Sequence, residues 1–406
     1  MKTIVVGGGA AGAFAAHFSA LNGDSVTVIE KNEKIGKKLY ITGKGRCNLT
    51  NACDFETFMR NVVNNDKFLM SAISEFLPED TMLLFEKENL PLKVERGNRV
   101  FPSSDKSSDV IKTISKMLER DNVEVRFNET VEKILVDNGV IRGLLTNKGE
   151  YLCDKVIVAT GGFSYRATGS TGDGYKFARE LGHKIIEPRQ ALVPIETIGG
   201  FSELSGLTLK NVTLKTVYEG KTVCSEFGEL LFTHTGVSGP IVLTTSSKIN
   251  RLDFKKILMY IDLKPALDHD TLDSRVLKDL KKYTKKQLKN AMGDLLPSSM
   301  IPFVIKASKV DGDKRTDDIS KAERRSLVET LKNFPINAKC LASFDEAIIT
   351  SGGVCVKEVN PVTMESKIVK GLYFAGEVLD VDALTGGFNL QIAFATGYKA
   401  GSAHHD

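Results

Sequence analysis

Apolar and polar positions along this chain follow two rhythms, and the places where the rhythm changes mark its elements. Residues 3–6 (Thr-Ile-Val-Val) form a short β-branched run, as expected of a strand buried on both faces. Beyond a glycine-rich stretch, small apolar residues from Ala13 to about Leu21 predict a helix that Asn22-Gly23 closes. Ser25–Ile29 reads as a second strand, terminating at Glu30. Residues 123–158 alternate as short strands, with turns at Asp137-Asn138-Gly139 and Asn147-Lys148-Gly149, and end in the buried-strand pattern Lys155–Val158. Near the C-terminus, Gly371–Ala375 predicts a last strand, and Thr385 opens a helix that runs to about Ala400.

Between about Pro188 and Ser343 the character differs. Residues 189–262 carry short strands punctuated by Gly199-Gly200, Glu219-Gly220 and Phe227-Gly228, which predicts a small β-barrel or sandwich. Pro265 to about Asn333 is patterned as helix, with Pro297 and Pro302 as breaks. A chain of 406 residues exceeds one ordinary domain. The expected organisation is an α/β domain in two parts, 1–188 and 344–406, interrupted by a β-barrel insertion (189–264) and a helical subdomain (265–343).

Composition alters little in this picture. With 42% hydrophobic and 26% charged residues the chain is ordinary globular material, and a net charge of +4 gives no global reason to expect a nucleic-acid partner. No apolar run reaches the roughly 18–20 residues of a membrane span, and Met1-Lys2 leads straight into a strand, so a cytoplasmic location is expected. The six cysteines include no CxxC pair, so neither a disulfide framework nor a metal site is expected.

The chemistry begins at Gly7-Gly8-Gly9-Ala10-Ala11-Gly12, a G-x-G-x-x-G turn between the first strand and the first helix. Gly7 permits the tight turn, Gly9 lets a pyrophosphate approach the backbone, and Gly12 lets helix pack on strand. The helix start offers N–H groups and a positive dipole end to phosphates. Glu30, ending the second strand, can accept ribose hydroxyls and disfavours a 2′-phosphate, which leaves FAD or NAD as the dinucleotide of a Rossmann-like domain.

Three later segments favour FAD, bound noncovalently. The strands of 123–152, the strand ending in Ala159-Thr160-Gly161-Gly162, and Gly371–Glu377 followed by Thr385-Gly386-Gly387-Phe388-Asn389 occur in the order found in glutathione-reductase-like flavoproteins, which they resemble. The resemblance implies that Val131 meets the adenine through its backbone, that Thr160 and Gly161 pack by the dinucleotide, and that Glu377 serves the ribityl–pyrophosphate region. It further implies that the last helix, through Asn389 and Leu390, points its N-terminus at the flavin pyrimidine. Two-electron reduction leaves negative charge near N1 and C2=O, which such a helix end stabilises.

The run Lys37-Lys38-Leu39-Tyr40-Ile41-Thr42-Gly43-Lys44-Gly45-Arg46-Cys47-Asn48-Leu49-Thr50-Asn51 is more specific. With Gly97–Ser104, Ala159–Tyr165, Gly169–Tyr175 and Gly376–Asp382, it resembles the aminoacetone-oxidase-like family of bacterial FAD-binding oxidoreductases, which includes reductases implicated in bile-acid dehydroxylation. The likeness spans essentially the whole chain; Phe388 stands where the family often has Tyr. It implies that residues 37–50 wrap the FAD, with Arg46 and Asn48 beside it. Lys31, after Glu30, and Lys38 complete the expected cofactor contacts. Cys47 lacks a CxxC partner and is expected to pack rather than to react.

The insertion contains no second G-x-G-x-x-G, so NAD(P)H would bind only transiently at the flavin, or electrons would pass to oxygen. It is expected to lay its sheet over the flavin and to choose the substrate. Arg275–Lys289 reads as an amphipathic helix with a solvated basic face. His234, in a glycine-rich loop, suits an acid/base role or a structural turn, and His17 is expected to pack. The leading expectation is an FAD-dependent oxidoreductase of a small molecule, with hydride passing to or from flavin N5. Amine oxidation with oxygen and NAD(P)H-driven reduction both fit. Tyr165, Arg166, His234 and Phe388 are candidates to line the substrate pocket; no catalytic residue is assigned. An RNA-modifying or RNA-binding flavoprotein using the 275–289 segment is the alternative, and an FAD-binding protein without turnover is a further one.

Overall fold

The computed structural model describes residues 1–199 and 201–403; Gly200, in one of the predicted turns, lies outside them. The chain divides into two compact units, Met1–Ala191 with the segment from Phe344 on, and Leu192–Ser343.

The first unit is built on five parallel strands: β1 (Lys2–Val6), β2 (Ser25–Glu30), β3 (Val123–Phe127), β4 (Lys155–Val158) and β5 (Leu372–Phe374), in the order β5-β4-β1-β2-β3. Their β-branched and aromatic residues are covered on both faces, as a parallel sheet requires: Val5, Val28, Val156, Ile157, Val158 and Phe374 are fully buried. Helix α1 (Ala10–Leu21) links β1 to β2, and three antiparallel strands, Val131–Asp137, Val140–Thr146 and Gly149–Leu152, lead into β4.

The C-terminal helix α2 (Phe388–Ser402) packs on α1 at backbone contact distance. A Cβ on Gly397 would collide with the Ala11 carbonyl, and one on Gly401 with that of Ala15. Beside this seam the rings of Phe14 and Phe394 stack with centroids 4.2 Å apart, an arrangement that contributes about 0.5–1.5 kcal/mol beyond its area.

Lys155 of β4 is fully buried beneath the far end of α2. Its Nζ donates to the Ala403 carbonyl at 2.8 Å and lies 4.6 Å from the centre of the Tyr373 ring. Capping the helix C-terminus in this way is favourable. Burial nevertheless pushes the ammonium pKa from 10.5 down to about 8, with Asp24 and Glu365 opposing the shift.

The second unit holds a seven-stranded sheet in the order Phe334–Ile336, Ile257–Asp262, Thr208–Tyr218, Lys221–Phe232, Gly236–Ser238, Ile195–Thr197, Ala338–Leu341. Every pairing in it is antiparallel, and among the described residues none joins the first strand of that order to the last. Two of its strands, 334–336 and 338–341, lie beyond the helical stretch. Helices His269–Lys282, Ile301–Ser308 and Lys321–Lys332 pack with it around one apolar core.

Two expectations are corrected here. Pro302 does not break a helix but starts one: it stands in the first turn of Ile301–Ser308, where its missing N–H is not needed. The basic segment is not one helix to residue 289. The helix capped by Asp268 ends at Lys282, because its buried stripe of Leu272, Val276, Asp279 and Leu280 stops there. Lys285 then turns with φ +67°, and Leu288 enters the core from a separate short turn. Its charges are also partly matched within the unit: Arg275 pairs with Asp279, Lys282 with Asp294 and Lys289 with Asp313. Among the described residues no helix is long and apolar enough to cross a membrane.

Lys155 yields a stability prediction. The folded state holds this proton less tightly than the unfolded chain, so the buried ammonium is a cost below pH 8 that is relieved as pH rises toward 10.5. The stability difference between wild type and Lys155→Met is therefore expected to move in favour of wild type over that window, by up to roughly 3 kcal/mol. Urea unfolding of both proteins at pH 7, 8.5 and 10 checks this; a difference that does not change with pH refutes it.

Candidate functional site

The site starts where β1 ends. Gly7 N–H donates to the Ile29 carbonyl at 2.9 Å, which ties the glycine turn to β2. Glu30 is buried with its carboxylate aimed back at the turn: Oε2 accepts the Gly8 N–H at 2.7 Å, and Oε1 accepts both the backbone N–H (2.8 Å) and the side-chain amide (2.6 Å) of Asn32. Helix α1 begins after Gly9 with no side-chain cap, so the N-cap offers no acceptor to its first N–H groups.

The glycines of this turn differ in what surrounds them. A Cβ on Gly12 would collide with the Gly7 carbonyl, so Gly12 serves the fold. A Cβ on Gly9 would meet no chain atom within 4 Å, so the space in front of it is open.

A second cluster gathers around Glu377, in the short turn after β5. Its Oε2 accepts Lys38 Nζ at 2.6 Å, and its Oε1 accepts the Thr350 N–H at 2.8 Å and Ser164 Oγ at 3.2 Å. Lys38 also donates to Ser164 at 2.6 Å. On the other side Lys31 donates to Asp173 at 2.7 Å, while Asn32 Nδ2 reaches the Thr168 carbonyl at 3.2 Å. The segment after β4 is thus held at both ends. Within it Gly161 adopts φ +73° and Tyr165 φ +53°, an uncommon backbone for an aromatic residue. Thr160 carries a buried hydroxyl oxygen without a hydrogen-bond partner.

The other sequence-predicted residues have these surroundings. Arg46 is turned onto the Phe101 ring, 4.1 Å from its centre, and paired with Glu95 and with Asp105, the latter at 2.7 Å from Nε. Asn48, with its amide oriented to suit its neighbours, donates to the carbonyls of Thr50 and Val100 and accepts the Gly387 N–H at 3.0 Å. Asn389 spends its side chain on the loop before α2, accepting the Ala383 N–H and donating to the Ala383 and Leu384 carbonyls. Leu390 packs against the core, and Val131 is buried in its strand. Cys47 is fully buried, and burial pushes its thiol pKa up to about 12, which suits a packing residue and not a nucleophile. His17 is buried, with Nδ1 3.1 Å from the Met117 carbonyl.

Of the pocket candidates, Phe388 is buried edge-on against Phe58, and Arg166 lies over Phe163. His234 is exposed in the second unit, at a cavity of about 260 Å³ that it lines with Glu196, Phe201 and Lys339. Ser164, Thr350, Asn51 and Asp173 were not singled out by sequence. Ser164, Asn51 and Asp173 lay inside motifs already noted, whereas Thr350 carried no local signal.

These residues fit an FAD. The open space at Gly9 and the uncapped start of α1 suit a pyrophosphate. Glu30 retains acceptor capacity for ribose hydroxyls, and the unpartnered Thr160 hydroxyl suits a polar ligand beside the dinucleotide strand.

The sequence model of the family described as HI0933-like protein Rossmann domain matches residues 1–403. The chain is 30% identical over 407 residues to the 3-dehydro-bile acid delta(4,6)-reductase of Clostridium scindens, with 98% of each chain covered. It is 32% identical over 403 residues to the ribosomal RNA dihydrouridine synthase of Haemophilus influenzae, covering 98% of this chain and 96% of the relative. In fold it is similar to the 3-ketosteroid-delta4-(5alpha)-dehydrogenase of Rhodococcus jostii RHA1, with a TM-score of 0.54 at 15% identity, covering 99% of this chain and 96% of that one.

The glycine contrast is directly testable. Gly9→Ala is expected to leave the melting temperature of the FAD-free protein within about 2 °C of wild type while weakening FAD at least about tenfold, because its methyl group enters the space left for the ligand. Gly12→Ala is expected to lower the melting temperature of the FAD-free protein itself. Flavin fluorescence titration and thermal unfolding read the two effects; equal behaviour of the two variants contradicts the assignment.

Proposed function

Because the chain belongs to the HI0933-like Rossmann-domain family of FAD-dependent oxidoreductases, we propose that it reduces a conjugated carbon–carbon double bond. The observation that carries this reading is a shared reaction between unlike relatives. One is named as a delta(4,6)-reductase of a bile acid, the other for making dihydrouridine, and both match this chain end to end. Adding two hydrogens across a ring double bond is common to both names.

When bound, FAD supplies the hydride chemistry; the chain supplies binding, orientation and electrostatics. Gly7, Gly9 and the start of α1 would hold the pyrophosphate, Glu30 the adenosine ribose, and Glu377, fixed by Lys38, Ser164 and Thr350, the ribityl region. The proton that balances hydride addition must come from a donor near the substrate. The electrons are proposed to come from NAD(P)H visiting the flavin. Among the described residues, the second unit's sheet is antiparallel throughout and offers no second parallel nucleotide fold.

A uridine of ribosomal RNA is a second reading of the substrate, favoured by the 32% identity to the dihydrouridine synthase. The paired charges of Arg275, Lys282 and Lys289 reduce what the basic segment can offer a phosphate backbone.

Anaerobic stopped-flow of the yellow protein separates these readings. NADH or NADPH is expected to bleach the flavin, and a 3-oxo-4,6-diene steroid or a ribosomal RNA is expected to restore its colour without oxygen. Restoration by RNA alone identifies the second reading. Bleaching by primary amines with no response to either nicotinamide, and peroxide on admitting air, overturns the reductase in favour of an oxidase.

A further inference from the structure

We propose that Asn48 and Asn51 are positioning residues that set the redox balance of the bound flavin, by clamping the Gly386–Gly387 turn from which α2 starts. The proposal rests on the flavoenzyme reading above and concerns this chain's own residues.

Both amides are engaged with the backbone around this turn. Asn48 accepts the Gly387 N–H at 3.0 Å and donates to the carbonyls of Thr50 (3.0 Å) and Val100 (3.1 Å). Asn51 is 4% exposed, and its Nδ2 donates at 3.0 Å to the carbonyls of both Gly97 and Gly386. One asparagine thus takes the N–H of Gly387 and the other the carbonyl of Gly386, so the turn is gripped from both sides. Thr50, between them, donates through Oγ1 to Gln391 Oε1 at 2.8 Å and so fixes the first turn of α2 as well.

The turn has no slack. Gly386 and Gly387 adopt φ of +126° and +99°, and a Cβ on Gly387 would collide with the Thr50 carbonyl. What the clamp holds is a helix start without a side-chain cap and without an acidic residue in its first turn. Such an end carries partial positive charge that falls off within about one turn, so its effect depends on where it is held. Two-electron reduction of a flavin adds negative charge to its ring system. A helix start held close therefore favours the reduced form over the oxidised form, and a relaxed turn surrenders part of that preference.

The test measures flavin potential against a reference dye during slow anaerobic reduction of the holoprotein. Asn48→Ala and Asn51→Ala are each expected to shift the reduced-to-oxidised ratio about tenfold toward oxidised flavin, about 30 mV downward for a two-electron couple. The double variant is expected to fall short of the sum, since both residues act on one turn. Leu144→Ala, in the buried face of the small antiparallel sheet, controls for stability and is expected to leave the potential unchanged. Potentials of both asparagine variants equal to that of Leu144→Ala overturn the proposal.

If a variant releases its flavin, titration with oxidised and with reduced FAD gives the same quantity. The proposal requires about tenfold greater loss for the reduced form, and equal losses refute it. If Asn48→Ala does not fold, Asn51→Ser supports or refutes it by the same measurements. A wild-type protein that binds no FAD refutes the flavoenzyme reading instead, which keeps the two failures distinct.

Discussion

Gly397 and Gly401 of α2 lie so near Ala11 and Ala15 of α1 that neither position has room for a Cβ, and the dinucleotide site depends on this close approach. Both helices begin at glycine turns and neither has a side-chain cap at its start. Packing them backbone to backbone over the parallel sheet fixes one uncapped helix start relative to the other. A larger residue at the seam would part the helices and misplace both. The composition of α1, with Ala11, Gly12, Ala13, Ala15 and Ala16 where an ordinary amphipathic helix carries leucines, follows from that requirement. The aromatic pair Phe14–Phe394 returns the apolar area that the small residues forgo.

The side-chain charges around the site are largely matched before any ligand arrives. Lys31 is held by Asp173, Lys38 by Glu377, and Arg46 by Glu95 and Asp105. Partly exposed pairs of this kind contribute little stability each, typically about 0–1 kcal/mol. Their effect is to place the segments 31–38, 164–173 and 377, and to leave little unbalanced cationic charge. The attraction for phosphate then rests on backbone N–H groups and helix ends, whose direction is set by the fold. Such donors need no rearrangement to act, which is the advantage of preorganised dipoles over mobile side chains.

Much of this was legible in the sequence, and the division between what was and was not has a physical reason. The turn Gly7–Gly12, the strand ending at Glu30 and the Ala159–Gly162 run are local: spacing within a dozen residues dictates them. The partners of Glu377 are not, since Lys38 and Ser164 lie 339 and 213 residues away in sequence. Arg46 and Asn48 were expected beside the cofactor because their motif was distinctive. The same motif also carries loop-to-loop contacts that its spacing does not announce: Asn48 meets Gly387 and Asn51 meets Gly386. The basic segment misled for a related reason: apolar spacing continued to Leu288, but the backbone turns at Lys285 and brings that residue back from another direction.

Relatives named as a bile acid reductase and as a ribosomal RNA dihydrouridine synthase each match nearly the whole of this chain, so what separates them is not a domain that one has and the other lacks. In the first unit Gly12, Gly387, Gly397 and Gly401 are held by contacts that tolerate no added atom, whereas Gly9 faces open space. In the second unit the cavity beside His234 joins exposed positions to Phe201, whose ring packs on those of Phe232, Phe303 and Phe334, so its exposed rim can vary more freely than its floor.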